Sequence, residues 1–229
     1  MKKELCTAIV LAAGSGKRMG TKVQKQYLEL EGKPVLYYSL WTFQCSPLID
    51  EIILVAGEEQ ISYCEKEIVE KYGISKVRCI VAGGKERWNS VWNGLQKVDG
   101  GYVFIHDGAR PFVTGDMIER AYHAMAECRA CVVGMPGKDT IKIVDKDDYV
   151  MATPNRDDVW MVQTPQVFET ELVKEAYAKL MEQPEQKVTD AAQVVESMMY
   201  EDVKLVQGSY QNSKSTTPED LEIAKIFVR

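Results

Sequence analysis

The chain has 229 residues, 45% of them apolar and 27% charged, enough to bury a core of its own. Its longest apolar runs, such as Ala8–Ala13, fall far short of a bilayer crossing, and its start, Met1-Lys-Lys-Glu-Leu, lacks the apolar stretch of a secretory signal, so a cytoplasmic protein with no membrane contact is expected. A formal net charge of −6 argues against a nucleic-acid surface and leaves any anion to be bound by a few placed lysines and arginines.

Short apolar runs recur along the chain with helical patterns between them. They are Thr7–Ala12, Ile52–Ala56, Val77–Val81, Tyr102–His106, Ala130–Gly134 and Val203–Gln207. Such spacing predicts an α/β fold, a mostly parallel central sheet covered by helices on both faces. Trp88, Val91, Trp92 and Leu95 fall on one helical face, and Ile118, Ala121, Tyr122 and Met125 on another, with Thr114 placed as N-cap. A last helix opens at Thr217-Pro218-Glu219-Asp220, a capping residue followed by a proline suited to the first turn. One stretch breaks this rhythm. Thr140–Val144 and Tyr149–Thr153 flank Asp145–Asp148 and read as a β-hairpin, which in isolation is marginal in water and needs a surface to lie on. The expected organisation is one domain over 1–229 with a β-arm excursion at about 137–162.

Several segments carry candidate chemistry. Leu11-Ala-Ala-Gly14-Ser-Gly16-Lys17-Arg18-Met-Gly20 follows the first strand directly; its glycines let backbone amides approach a phosphate, and Lys17, Arg18, Lys22 and Lys25 cluster after it. The spacing is neither that of a Walker loop nor that of a dinucleotide fingerprint, because Met19 stands where a third glycine belongs. Taken alone it is either a phosphate cradle or a tight turn. Gly83-Gly84-Lys-Glu-Arg87-Trp-Asn-Ser90 joins a strand to a helix; Arg87, Ser90 and Gly94 share the face opposite the apolar stripe, which by itself reads as a solvated polar face. His106-Asp107-Gly-Ala-Arg110-Pro111 puts a carboxylate at the end of a strand, able to bind Mg²⁺, and an arginine able to grip a phosphate; the plainer reading is a surface ion pair. Asp139-Thr140, Arg156, Gln163-Thr164-Pro-Gln166 and Asn212-Ser-Lys214 add hydroxyl, amide and cationic donors. Of six cysteines only Cys128 and Cys131 are close in sequence, and with two histidines the chain lacks the spacing of a zinc site.

In order, Ala-Ala-Gly-x-Gly-x-Arg-Met-Gly, Lys-Gln-Tyr-Leu, Gly-Gly-x-x-Arg-x-x-Ser-Val, His-Asp-Gly-Ala-Arg-Pro, Asp-Thr-Ile-Lys, Gln-Thr-Pro-Gln-x-Phe and Asn-x-Lys-x-Thr-x-Pro-Glu-Asp-Leu span nearly the whole chain. The set resembles the 2-C-methyl-D-erythritol 4-phosphate cytidylyltransferase family. The related ribitol-5-phosphate cytidylyltransferases usually read Ala-Gly-Gly in the first loop and lack Asp-Thr-Ile-Lys. The resemblance implies a Rossmann-like three-layer fold, CTP as co-substrate, Mg²⁺, and a homodimer made by crossed β-arms. It places Arg18, Lys25 and Lys214 on the phosphates as catalytic groups, and Ala12, Ala13, Gly14, Gly16, Gly84, Ser90 and Asp107 around CTP; Asp107 is also the expected Mg²⁺ ligand. It places Arg110, Thr140, Arg156 and Thr164 on the polyol phosphate, with Thr140 and Arg156 serving the neighbouring subunit. The chain departs from the family's usual Pro-Lys-Gln at Gln24-Lys25-Gln26, and carries Ala191 where a second acidic residue is common. A catalytically silent nucleotide sensor on the same fold is the competing reading; the joint presence of Arg18, Lys25, Asp107 and Lys214 speaks against it.

Overall fold

A computed structural model describes residues 3–14, 24–183, 185–215 and 218–228. The apolar runs become β1 (Cys6–Ala12), β4 (Glu51–Ala56), β5 (Val77–Ala82), β6 (Tyr102–Asp107), β7 (Ala130–Pro136) and β11 (Lys204–Gln207). A strand that the apolar pattern did not reveal, β10 (Trp160–Glu169), lies in the middle of the sheet. The order is β11–β7–β10–β6–β1–β4–β5. Only β10 runs against the others, pairing antiparallel with β6 and β7. It was hidden by Pro165, which has no N–H to give a ladder, and by its polar neighbours; its register with β7 shifts between Val162 and Gln166.

Alternation along the strands divides the core into two layers. Ala8, Val10, Ile52, Leu54 and Phe104 face α1 (Val35–Cys45), a π-helical turn over Cys64–Glu70 that continues α2 (Ile61–Tyr63), and α4 (Gly115–Ala124). Ile9, Ile53, Val55, Val103 and Ile105 face α3 (Arg87–Leu95), α5 (Thr170–Met181) and α6 (Ala191–Met199). Successive residues of a strand point to opposite faces, so runs apolar on both sides require cover on both. The Thr114 hydroxyl caps α4 by accepting from the Met117 N–H at 3.4 Å. α7 (Pro218–Val228) begins at the expected proline; Thr217 lies outside the described residues. It packs through Ala224 on Leu30 and Val35, beside the small hairpin of β2 (Glu29–Leu30) and β3 (Lys33–Pro34). Among the described residues no helix is long and apolar enough to cross a membrane.

The excursion is a hairpin, β8 (Ile143–Val144) with β9 (Val150–Ala152), antiparallel. Asp145 makes its turn by accepting the N–H groups of Asp147 and Tyr149, each at 2.9 Å. Its root closes where the Gly137 N–H donates to the Val159 carbonyl. The arm exposes Ile141, Ile143, Val144, Tyr149, Val150 and Met151, with Tyr149 75% and Met151 70% accessible.

Candidate active site

Parallel strands end on the same edge, and here four of them end together. β1 pairs with β4 and β6 on either side, so Ala12, Ala56 and Asp107 come to neighbouring positions, with Ala82 next to Ala56. After β1 the chain moves outward to β4 and β5, then returns across β1 to β6; such a reversal opens a crevice outside the carboxyl ends of the strands.

The start of the glycine-rich loop is held from below. Gln26 is buried and its amide donates to the carbonyls of Ala12 at 2.6 Å and Gly14 at 3.0 Å. The Tyr27 hydroxyl also donates to Ala12 O, at 3.2 Å. Both side chains ride on the short 3-10 turn Lys25–Tyr27, which brings half-buried Lys25 beside the loop. Gly16, Arg18 and the rest of 15–23 lie outside the described residues.

The second glycine pair abuts this loop. A Cβ on Gly83 would lie 2.2 Å from the Ala13 Cβ, so only glycine permits the approach. Ser90 is buried; its hydroxyl accepts from Gly84 N–H at 3.0 Å and donates to Glu86 O at 3.3 Å. Glu86, with Asn89 in a reciprocal capping box, starts α3. The polar side of α3 is therefore no solvated face. Ser90 and Gly94 are buried with Val91 and Leu95, whereas Trp88 and Trp92 are only partly covered.

Asp107 is the hub of the crevice. Arg87 donates Nε and Nη2 to Oδ1 at 3.2 and 3.1 Å, Lys214 donates Nζ to Oδ2 at 2.8 Å, and Arg110 Nε lies 3.9 Å from Oδ2. Burial by itself would raise the Asp107 carboxyl, but Arg87, then Lys214 and Arg110, outweigh it and hold the group far below the usual carboxylate range. The surface-pair reading is thus corrected: the carboxylate is buried, Arg110 is partly buried, and two further cations join them. Both Asp107 oxygens are engaged by side-chain cations, and among the described residues no group of three or more His, Cys, Asp or Glu lies together. The cluster holds more positive than negative charge, and the buried Arg110 Nε has no hydrogen-bond partner among the described residues. This favours an incoming anion.

A second layer fixes the hub. The Asp107 N–H donates to Thr164 Oγ1 at 3.1 Å, and Thr164 Oγ1 lies 3.0 Å from His106 Nδ1. His106 Nε2 lies 3.2 Å from the Arg110 carbonyl, which can only accept. The proton therefore sits on Nε2, and the Thr164 hydroxyl donates to Nδ1. Burial pushes the imidazole down to about 4, so it is neutral at physiological pH. Thr164, expected to touch substrate, is itself buried with its one proton spent on His106. Asn212, also buried, donates to Thr164 O at 2.8 Å and accepts from Arg110 Nη1 on its own carbonyl at 2.7 Å.

The chain thus brings together Ala12, Ala13, Gly14, Lys25, Gly84, Ser90, Asp107, Arg110, Thr164 and Lys214 along one edge. Thr140 and Arg156 are elsewhere, exposed on the arm, and no hydrogen bond or ion pair joins either to the Asp107 cluster among the described residues. Sequence reasoning missed Arg87, Gln26, Tyr27, His106 and Asn212 as site residues. All five stand inside the quoted motifs, which was the signal available.

A mostly parallel sheet with a glycine-rich turn after its first strand and a cation-ringed carboxylate at the same edge defines an α/β enzyme of phosphate-ester chemistry. Which one is settled by kinship. The chain belongs to the 2-C-methyl-D-erythritol 4-phosphate cytidylyltransferase family, whose model matches residues 6–229. It is 50% identical over 225 residues to the protein of that name from Lachnospira eligens, covering 97% of this chain and 99% of the relative. It also resembles the crystal structure of 4-diphosphocytidyl-2C-methyl-D-erythritol synthase from Anaerococcus prevotii, with TM-score 0.88, 38% identity, and coverage of 99% of this chain and 96% of the other. The Francisella tularensis 2-C-methyl-D-erythritol 4-phosphate cytidylyltransferase structure matches at TM-score 0.80 and 31% identity, covering 97% and 99%.

Proposed function

We propose that the chain transfers CMP from CTP to 2-C-methyl-D-erythritol 4-phosphate. A phosphate oxygen of the acceptor attacks the α-phosphorus of CTP, the bond to the β-phosphate breaks, and pyrophosphate leaves with the electron pair in line with the attack. The acceptor oxygen is already ionised at neutral pH, so no general base is needed. The observation that carries this reading is the Asp107 cluster: its cations surround a carboxylate too weakly basic to take a proton, and His106 has both nitrogens engaged. Such a site suits charge stabilisation rather than proton transfer.

Lys214, Lys25 and Arg18 meet the charge that builds on the α-phosphoryl group. Ala12, Ala13, Gly14, Gly16, Gly84 and Ser90 surround the nucleotide, and Arg110 offers its guanidinium charge to a phosphate. Asp107 keeps Lys214 and Arg87 aimed into the crevice. Magnesium enters as the counter-ion of the triphosphate, part of the substrate rather than a resident of the protein. The whole of 1–229 acts as one domain in a cytoplasmic homodimer whose arms cross, and Thr140 and Arg156 reach the acceptor in the partner's crevice. The exposed apolar arm supports that assembly. Thr164 acts from behind, by holding the backbone of Asp107.

A pyrophosphate-release assay with CTP and a panel of polyol phosphates tests the reading. Methylerythritol 4-phosphate is expected to turn over best. Preference for ribitol 5-phosphate would move the substrate assignment, and no release with any acceptor would leave a nucleotide sensor.

A further inference from the structure

The segment from Gly208 to Ser215 has no regular structure, yet it touches both the crevice and the root of the arm. At its start, Gly208 N–H donates to Gly134 O at 2.8 Å, and Ser209 O accepts from Gln163 Nε2 at 2.8 Å. Tyr210 then turns toward the arm. Its hydroxyl donates to the carbonyl of Pro136, the last residue of β7, at 3.0 Å, and the Lys138 ammonium sits 3.5 Å above its ring. From Asn212 on, the segment turns toward the crevice. Asn212 binds Thr164 and Arg110, Lys214 binds Asp107, and Ser215 N–H donates to Ala109 O at 2.9 Å.

An ammonium on a long flexible stem is positioned no better than the backbone that carries it. Lys214 is anchored downstream by Ser215 and upstream by Asn212. Tyr210, 41% exposed, is a further upstream attachment, and it grips the arm's root rather than the sheet face. We infer that Tyr210 is a positioning residue for Lys214, a latch that refers the strap bearing that lysine to the root of the arm. Movement of the root then reaches Lys214 of the same chain through four intervening peptide units. This inference rests on the role proposed above for Lys214.

The test is a double-mutant cycle on the full-length protein, with kcat and KM measured for CTP and methylerythritol phosphate and the oligomeric mass measured alongside. Tyr210→Ala is expected to lower kcat about 5- to 10-fold with KM for CTP within about twofold of wild type and unchanged mass, as for a contact that matters chiefly in the transition state. In a Lys214→Ala background the same substitution should have no further effect, because what it positions is gone. Equal fold-losses in both backgrounds, or wild-type kcat in Tyr210→Ala, would overturn the latch. Should Tyr210→Ala aggregate, Tyr210→Phe and Lys138→Met carry the decision. Each removes one half of the latch and should cost about 2- to 3-fold in kcat in the Lys214 background alone; no loss in either overturns the inference. Wild-type activity in Lys214→Ala itself would instead remove Lys214 from the mechanism proposed above, so the two failures are distinguishable.

Discussion

The crevice and the arm are built on opposite plans. Around Asp107 the described side chains are held by partners that are themselves held: Asp107 by Arg87 and Lys214, with its backbone N–H on the Thr164 hydroxyl, Thr164 by His106, His106 by Arg110 O, and that carbonyl also by Ser39 at 3.1 Å. The arm has strands of two and three residues and apolar side chains open to solvent. Two-stranded hairpins of that length do not pay for their own ordering in water. The charge-handling cluster around Asp107 is thus preorganised within one chain, whereas the arm, in the assembly proposed above, gains its surroundings from a second copy. Breaking one half should therefore look different from breaking the other.

The largest effect belongs to the crevice. Lys214→Ala and Lys25→Ala should each cut kcat by roughly 10²-fold or more, by analogy with lost oxyanion donors, while CTP binding measured by calorimetry weakens far less. Turnover near wild type in either variant removes that lysine from the mechanism. A large loss of CTP affinity with kcat retained would make it a ground-state binder.

The arm should fail differently. Met151→Asp puts a charge on a residue 70% exposed in the single chain, so the fold should survive and its melting temperature should change little. If the exposed apolar face is a subunit interface, the variant should sediment as a monomer and lose activity. Assignment of Arg156 to the partner's crevice makes a further claim. Arg156→Ala and Lys25→Ala, each inactive alone, should recover up to about a quarter of wild-type activity after subunit exchange, since half of the dimers then hold one intact site out of two. Exchange without recovery would put Arg156 in its own chain's site or in none.

How much of this was legible beforehand follows the same division. The strands that carry the crevice were readable because burial on both faces makes near-continuous apolar runs, and the hairpin because its turn is an Asp-rich break between β-prone stretches. β10 was not, since a central strand with Pro165 and polar Gln163, Thr164 and Gln166 contradicts both patterns; Gln163 holds Ser209, Thr164 holds His106 behind the crevice, and Gln166 holds Asp190 and Ala191 at the start of α6. α1 was equally silent, with Tyr37, Tyr38, Trp41 and Phe43 spread around it and no clean stripe. At the site, a residue next to a glycine turn could be found by position. The partner of Arg87 could not, because pairing across from α3 to Asp107 at the end of β6 is a fact of tertiary packing. Nor could Asp107 be recognised as saturated until its three cations were seen around it.

The smallest effect separates the two regions by pH alone. His106 is fully buried, with Phe43 edge-on at 5.2 Å, Thr164 and the Arg110 carbonyl on its nitrogens, and Asp107 adjacent. Its folded value of about 4 lies below that of an unfolded histidine, so the unfolded chain binds the extra proton first. Stability from this group is complete above about pH 6.5 and falls as pH drops toward 4, where the folded state takes up the proton too, by up to about 3 kcal/mol in all. Asp107 adds little in that window, because its contribution is lost only as the unfolded chain takes up the carboxyl proton, around and below the ordinary aspartate value of about 4. Urea unfolding at pH 7 and pH 4.5 should show the slope in wild type and, undiminished, in Met151→Asp. In His106→Gln, whose side chain does not titrate, the slope should flatten even though stability at pH 7 is lower. A slope equal in wild type and His106→Gln would mean that the proton is taken up elsewhere, and that the layer behind Asp107 is not the acid-sensitive part of the fold.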